Sequence, residues 1–259
     1  MSKLCIIGDI HGQYYKLITL LQGANLINTD NQWTGQKTTL CFMGDFFDRG
    51  PNGIAAIDLV MSLQDQASKA GGHVYAILGN HELMLLAAHK FGVEPVTRWD
   101  QSFEAIWLRN GGKRHDMEGL TTAHLKWLRH LPAMLRVDEH LLIHSDSTAY
   151  LRYGQTIDEV NHKIRDMILN APPPIWDQLL FDINLRQEFI HPQAEGIQRA
   201  KQFLNNFNAK QIIHGHTPIS YLTHMPANKV TRPLFYADDL CVNVDGGMYM
   251  GGSGFVYDI

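Results

Sequence analysis

Cysteine is scarce: only Cys5, Cys41 and Cys241 occur among 259 residues, too few, too scattered and odd in number for a disulfide framework. Each lies in an apolar stretch, which suits a small core residue. Runs of one charge are missing as well. No stretch of Lys or Arg exceeds two residues and the formal net charge is −4, which argues against an electrostatic footprint dedicated to long nucleic acids. Nothing approaches the roughly 18 consecutive apolar residues of a membrane span. The segment from Leu4 to Ile7 is too short for a signal-peptide core and runs straight into Asp9. A cytoplasmic protein with no membrane partner is the expectation. Internal repeats and low-complexity tracts are also lacking. What remains is an ordinary globular composition, 45% hydrophobic and 19% charged, able to bury a sizeable core in one domain over 1–259.

Short apolar runs repeatedly end in glycine and a polar cluster, and each cluster then opens into a helical pattern. Leu4-Cys-Ile-Ile7 precedes Gly8-Asp-Ile-His-Gly12, and Thr38-Thr-Leu-Cys-Phe-Met43 precedes Gly44-Asp-Phe-Phe-Asp-Arg-Gly50. His73-Val-Tyr-Ala-Ile-Leu78 precedes Gly79-Asn-His-Glu82. This is the strand, loop, helix rhythm of an α/β protein, in which ligands gather beyond the carboxyl ends of strands. Residues from about 92 to 132 are richer in Trp, Arg and His, and they read as a cap-like insertion with two helices flanking a loop at 110–118. Trp99, Trp107 and Trp127 fall at helical spacings and read as core. Strand patterns return at 133–137 and 140–144, a helix at 157–169, a helix at 196–207 and a strand at 211–214. The Pro172-Pro-Pro174 run breaks a helix and is expected to start a loop.

Asp9 and His11 are one residue apart, so an extended backbone points both side chains to one face, where they can share a metal ion. Asp45 follows the next strand, and its two oxygens suit a bridge between a pair of metals. Asn80 offers an amide oxygen, while His144 and His216 end later strands and offer nitrogen. Mixed oxygen and nitrogen donors of this kind suit Mn, Fe, Zn or Co better than Ca or Mg. Two divalent cations bring about +4 against about −2 from the two aspartates, which leaves an anion-seeking centre. A pair roughly 3.5–4 Å apart can also supply hydroxide at neutral pH and clamp phosphoryl oxygens.

Those segments, with the strand-terminal His144 and Gly215-His216, resemble in order and spacing the motifs of the calcineurin-like metallophosphoesterases. Within that family the chain resembles the branch of PPP-type serine/threonine protein phosphatases and their bacterial relatives, from Gly8 to about Gly247. The resemblance implies an α/β fold with two stacked central β-sheets flanked by helices and a small helical cap insertion. It implies two divalent metal ions, with manganese expected and iron, zinc or cobalt as alternatives. Asp9 and His11 would hold the first ion, Asp45 would bridge, and Asn80, His144 and His216 would hold the second. A metal-bridging hydroxide would attack in line, with no phosphoenzyme. His81 would protonate the leaving oxygen, Asp48 would orient it, and Arg49 would grip phosphate oxygens, with Arg186 the candidate for a further clamp. Two departures stand out: His144 is followed by Ser145-Asp146 where protein phosphatases usually have glycines, and Pro218 occupies a position where many relatives place another histidine.

The implied substrate is a phosphorylated protein or peptide, carrying phosphoserine or phosphothreonine. A nucleotide substrate, as in symmetrical diadenosine tetraphosphatases, is the alternative, although Asp48 leans against it. A metal-binding regulator without catalysis is a third reading, weakened because every acid, clamp and ligand position is filled. Blander roles suit other polar residues. His214, inside a strand, reads as a packing or orienting partner. Asp245 fits a turn or a ligand-orienting role equally, His115 a solvated loop, and Glu82 a helix N-terminus.

Overall fold

The strand β1 (Leu4–Ile7) is apolar at every position because both of its faces are covered. Leu4 and Ile6 join Cys41, Met43, Leu142, Ile213 and Val242 in one apolar layer between two sheets. Cys5 and Ile7 face the other way and join Leu40 and Phe42 beneath flanking helices. This computed structural model describes residues 3–98, 100–190 and 192–259; Trp99 therefore lies outside the described residues.

The first sheet has the order β3-β2-β1-β9, with β2 (Thr39–Phe42), β3 (His73–Ala76) and the C-terminal β9 (Tyr257–Asp258). Strands β1, β2 and β3 are parallel, and Ile7, Phe42 and Ala76 lie in register. The three loops that follow them therefore leave one edge of the sheet together. The second sheet has the order β4-β5-β6-β8-β7. It is built from β4 (Met134–Val137), β5 (His140–Ile143), β6 (Gln211–His214), β7 (Leu234–Tyr236) and β8 (Cys241–Asn243). Its central strands β5, β6 and β8 are parallel, with Leu142, Ile213 and Val242 in register one residue before their ends. The fold is thus α/β with two mixed sheets packed face to face and helices outside, as the resemblance implies.

Helices α1 (Tyr14–Gly23) and α2 (Gly53–Lys69) cover the first sheet. Helix α3 (Asn80–Phe91) is buried from Asn80 through Ala88. Three short helices follow: α4 (Phe103–Arg109), α5 (Arg114–Glu118) and α6 (Thr122–His130). The segment expected as a loop at 110–118 thus contains a helix, stitched in by the Lys113 carbonyl, which accepts from Asp116 N at 2.9 Å. The helices α7 (Ile157–Asn170), α8 (Pro173–Ile183), α9 (Gln193–Asn206) and α10 (Ile219–Thr223) complete the shell. The proline run does not begin a loop but opens α8, with Pro172 as N-cap and prolines in the first turn, where a missing N–H costs nothing. Cys5, Cys41 and Cys241 are buried free thiols. Among the described residues no helix is long and apolar enough to cross a membrane.

Candidate metal centre and active site

The loops after β1, β2 and β6 are held in strained backbone. His11, Asp45, Asp48, Arg49 and His216 have φ of 47°, 53°, 69°, 63° and 69°. Residues other than glycine enter this region at a cost of about 1–3 kcal/mol each, and persist there where surrounding structure dictates it. The extended backbone expected for Asp9 and His11 is therefore replaced by a turn beyond the strand end. Tertiary hydrogen bonds hold that turn. Ile10 N and His11 N both donate to the Asp45 carbonyl, at 3.1 and 2.8 Å, and Gly50 N donates to the His11 carbonyl at 3.0 Å. Glu82 fastens the second loop to α3, accepting from Asp45 N at 2.7 Å, Phe46 N at 2.8 Å and Gly79 N at 3.0 Å. Glycine is required where backbone meets carboxylate: a Cβ on Gly79 would lie 2.2 Å from Asp45 Oδ1, and one on Gly215 2.1 Å from Asp9 Oδ1.

Asp9, His11, Asp45, Asn80, His144 and His216 are all buried and meet between the sheet ends. The Asn80 Oδ1 lies 2.9 Å from His144 Nε2 and 3.0 Å from His216 Nδ1. The Asp45 carboxylate lies 3.3 Å from His144 Nε2 through Oδ1 and 3.6 Å from His11 Nε2 through Oδ2. Asp9 Oδ2 is 4.0 Å from His11 Nε2, and both Asp9 oxygens accept from His216 N. One triad of donor atoms comprises Asp45, His144 and His216, and the other His11, Asp45 and His81, each within 4.8 Å of one another. Asp45 belongs to both.

The second nitrogen of each imidazole separates two kinds of histidine. His11 Nδ1 donates to the Phe47 carbonyl at 2.9 Å, His144 Nδ1 to the Met43 carbonyl at 2.7 Å, and His216 Nε2 to the Asn184 carbonyl at 3.3 Å. A ring whose outer N–H is held by a carbonyl presents its inner nitrogen as a lone pair, the arrangement that supports metal ligation. The donor set thus fits a divalent cation: inward nitrogens, an amide oxygen and carboxylates, all buried. Burial, with the charges of Asp245 and Asp45, pushes the Asp9 carboxyl well above its usual range. Asp245 Oδ1 accepts from Gly247 N at 2.9 Å, while its buried Oδ2 has no hydrogen-bond partner. Such a cluster of buried acids asks for cations.

His81 differs. Its Nδ1 meets Asp48 Oδ2 at 2.6 Å, a carboxylate rather than a carbonyl. Burial pushes the Asp48 carboxyl up to about 8 and the His81 imidazole down to about 4. In these surroundings neither partner favours its charged form. The other oxygen of Asp48 accepts from Trp107 Nε1 at 2.7 Å. Arg49 is half-buried, with its guanidinium 3.0 Å from His11 Nε2 and 3.1 Å from His81 Nε2. Its carbon lies 4.0 Å over the Tyr249 ring, and its backbone N donates to the Gly111 carbonyl at 2.8 Å.

Arg186 is exposed on the loop after α8. Burial holds the His81 and His216 imidazoles below their usual range, and the charge of Arg186 adds to both effects. His214 meets the Tyr236 hydroxyl at 2.6 Å and is not among the converging donors. His115 lies exposed on α5, against the Pro51 carbonyl. Three residues escaped the sequence reading. Asn184 accepts from Asn80 Nδ2 at 3.0 Å and so turns the Asn80 oxygen inward. Trp107, read as core, is fully buried and also buttresses Asp48. Tyr249 backs Arg49, its only sequence signal being an aromatic shortly after Asp245-Gly-Gly247.

Residues 2–220 match the family model described as calcineurin-like phosphoesterase. The chain is 27% identical over 227 residues to Shewanella-like protein phosphatase 1 of Plasmodium berghei (strain Anka), covering 83% of this chain and 61% of that protein. It is 26% identical over 230 residues to the symmetrical bis(5'-nucleosyl)-tetraphosphatase of Vibrio cholerae serotype O1, covering 87% of this chain and 74% of that protein. Among solved structures, a cold-active protein-tyrosine phosphatase of a psychrophilic Shewanella species shares the fold, with a TM-score of 0.74, 24% identity, and coverage of 100% of this chain and 75% of that one.

Proposed function

The chain belongs to the calcineurin-like phosphoesterase family, and we propose that it is a metal-dependent phosphoesterase that hydrolyses phosphate monoesters carried by proteins. Phosphoserine and phosphothreonine are the esters that the sequence motifs favour. In this reading Asp9, His11 and Asp45 hold one divalent cation and Asp45, Asn80, His144 and His216 a second, with manganese the expected metal. Bound there, the ions would polarise phosphoryl oxygens and acidify a water molecule. Arg49 and Arg186 bring positive charge to the phosphate, Arg49 in the planar fork that suits paired oxygens. His81 delivers a proton from Nε2 to the leaving oxygen while Asp48 holds Nδ1, a role worth roughly 10²–10⁴ in rate. The chain acts as one domain, and residues 92–132 form a cap that reaches the acid through Trp107.

The observation that carries this reading is the division among the histidines. Of the four histidines at the centre, His11, His144 and His216 rest on backbone carbonyls, as ligands do, and His81 rests on a carboxylate, as an acid does. Hydrolysis of p-nitrophenyl phosphate and of phosphopeptides, measured with and without added Mn²⁺, tests it. Metal-dependent turnover supports the proposal, and none with any of Mn, Fe, Zn or Co contradicts it.

The similarity to the nucleotide hydrolase over 87% of the chain favours a second reading, cleavage of dinucleoside tetraphosphates. Turnover of diadenosine tetraphosphate without turnover of phosphopeptides would select it.

A further inference from the structure

The Ser145-Asp146 pair, where the phosphatase pattern usually has glycines, follows His144 directly. Neither residue has a positive φ, so the backbone there does not require glycine and can carry a side chain. Asp146 is buried, and both of its carboxylate oxygens are engaged. Its Oδ2 accepts from the Tyr236 hydroxyl at 3.0 Å, and that hydroxyl also meets His214 Nε2 at 2.6 Å, so two strands of the second sheet brace the carboxylate. Its Oδ1 accepts from Gln187 N at 2.9 Å, and its backbone carbonyl accepts from Glu188 N at 3.1 Å. Glu188 returns the tie, its Oε2 accepting from Thr148 N and Thr148 Oγ1, both at 2.6 Å. The loop after β5, which delivers His144, is thereby stitched to the loop after α8, which carries Arg186.

Arg186 sits between two fixed points of that loop. On one side Asn184 accepts from Asn80 Nδ2 at 3.0 Å and takes His216 Nε2 on its carbonyl at 3.3 Å. On the other side Gln187 stands at φ 65°, a conformation that persists where surrounding structure dictates it, and Asp146 is the side chain that holds its N–H. The arginine side chain itself is exposed, and among the described residues no carboxylate pairs with it. Its placement therefore comes from its backbone. We propose that Asp146 is a positioning residue for Arg186: by fixing Gln187 it aims the arginine at the phosphate and so sets substrate affinity, without touching substrate itself. This rests on the phosphoesterase reading above and deepens its account of how phosphate is held. With glycine at position 146 the Gln187 N–H would lose its acceptor, and a side chain rich in rotamers would project from a loosened base.

In the metal-loaded full chain, Asp146→Ala should raise both the KM for p-nitrophenyl phosphate and the inhibition constant of inorganic phosphate by roughly 3–10-fold, as expected of Arg186→Ala, while kcat and metal content stay near those of the unaltered protein. The double variant should be no weaker than either single one, because a shared interaction is lost only once. Asp146→Asn, which keeps an oxygen for Gln187 N, should bring both constants back to within about two-fold. An aspartate that merely supports the fold would give another pattern: its loss would lower kcat or metal content, its effect would multiply with that of Arg186→Ala, and asparagine would not rescue it. Any of these results overturns the anchor, as do unchanged constants in Asp146→Ala. If Asp146→Ala does not fold, as read by circular dichroism, Asp146→Ser carries the same expectations, its side chain being too short to reach Gln187 N. Unchanged constants in Arg186→Ala would overturn clamp and anchor together. A protein that hydrolyses phosphate esters yet keeps its constants in the position-146 variants loses only the anchor. One that hydrolyses none with any of Mn, Fe, Zn or Co loses the phosphoesterase reading as well.

Discussion

The two halves of the site are built differently. The proposed ligand half, Asp9, His11, Asp45, Asn80, His144 and His216, gathers at the ends of the two sheets, with His11 and His144 resting on backbone carbonyls of the loops there. The proposed acid half, Asp48, His81 and Arg49, leans on the helical segment between α3 and β4, through Trp107 Nε1 and the Gly111 carbonyl. The proposed ligands thus rest on a scaffold common to both sheets, while the proposed proton donor depends on a peripheral segment. Damage to the first should remove ions and chemistry together, and damage to the second should slow chemistry with the ions in place.

The largest effect is expected in the ligand half. His144→Ala should cut p-nitrophenyl phosphate turnover to below roughly 1% and lower bound metal measured by mass spectrometry, because a lost ligand weakens the ion as well as the reaction. Full metal content in this variant would break the division. Next comes the acid itself. His81→Asn should reduce kcat about 10²–10⁴-fold while metal content stays that of the unaltered chain. A loss of ions there would move His81 into the ligand half, in line with its nearness to Asp45 at 4.0 Å.

Trp107→Phe keeps the ring and removes the donor to Asp48. Turnover should fall roughly 10-fold, as for partners that orient a reactive group, and fall further for phenyl phosphate than for p-nitrophenyl phosphate, since the poorer leaving group needs the proton more. An equal loss on both substrates would show that Trp107 supports the fold but not the acid. The smallest effect belongs to Arg186→Ala at the exposed rim, where KM should rise by roughly 3–10-fold with kcat little changed, the mark of lost phosphate binding.

Much of this division was open to reading before the structure. Strands such as Leu4–Ile7 are apolar throughout because helices cover one face and the partner sheet the other, and that pattern survives in one dimension. Candidate ligands stand out in the sequence because each follows such a strand. The backbone at His11 is not extended, as its spacing from Asp9 suggests, since its positive φ is imposed by hydrogen bonds between loops distant in sequence. Trp107 and Asp48 are separated by 59 positions and Asn80 and Asn184 by 104. No local spacing encodes such pairs. The start of α8 was legible in principle, because prolines suit a first turn as well as a break.

The most direct test of the central claim is equilibrium dialysis of the full chain against Mn²⁺, read as ions bound per chain. Two ions are predicted, with fewer in Asp45→Ala, because that carboxylate reaches both donor groups. A chain that binds no ion, or an Asp45→Ala variant that binds as many as the unaltered protein, would contradict a paired metal centre at this site.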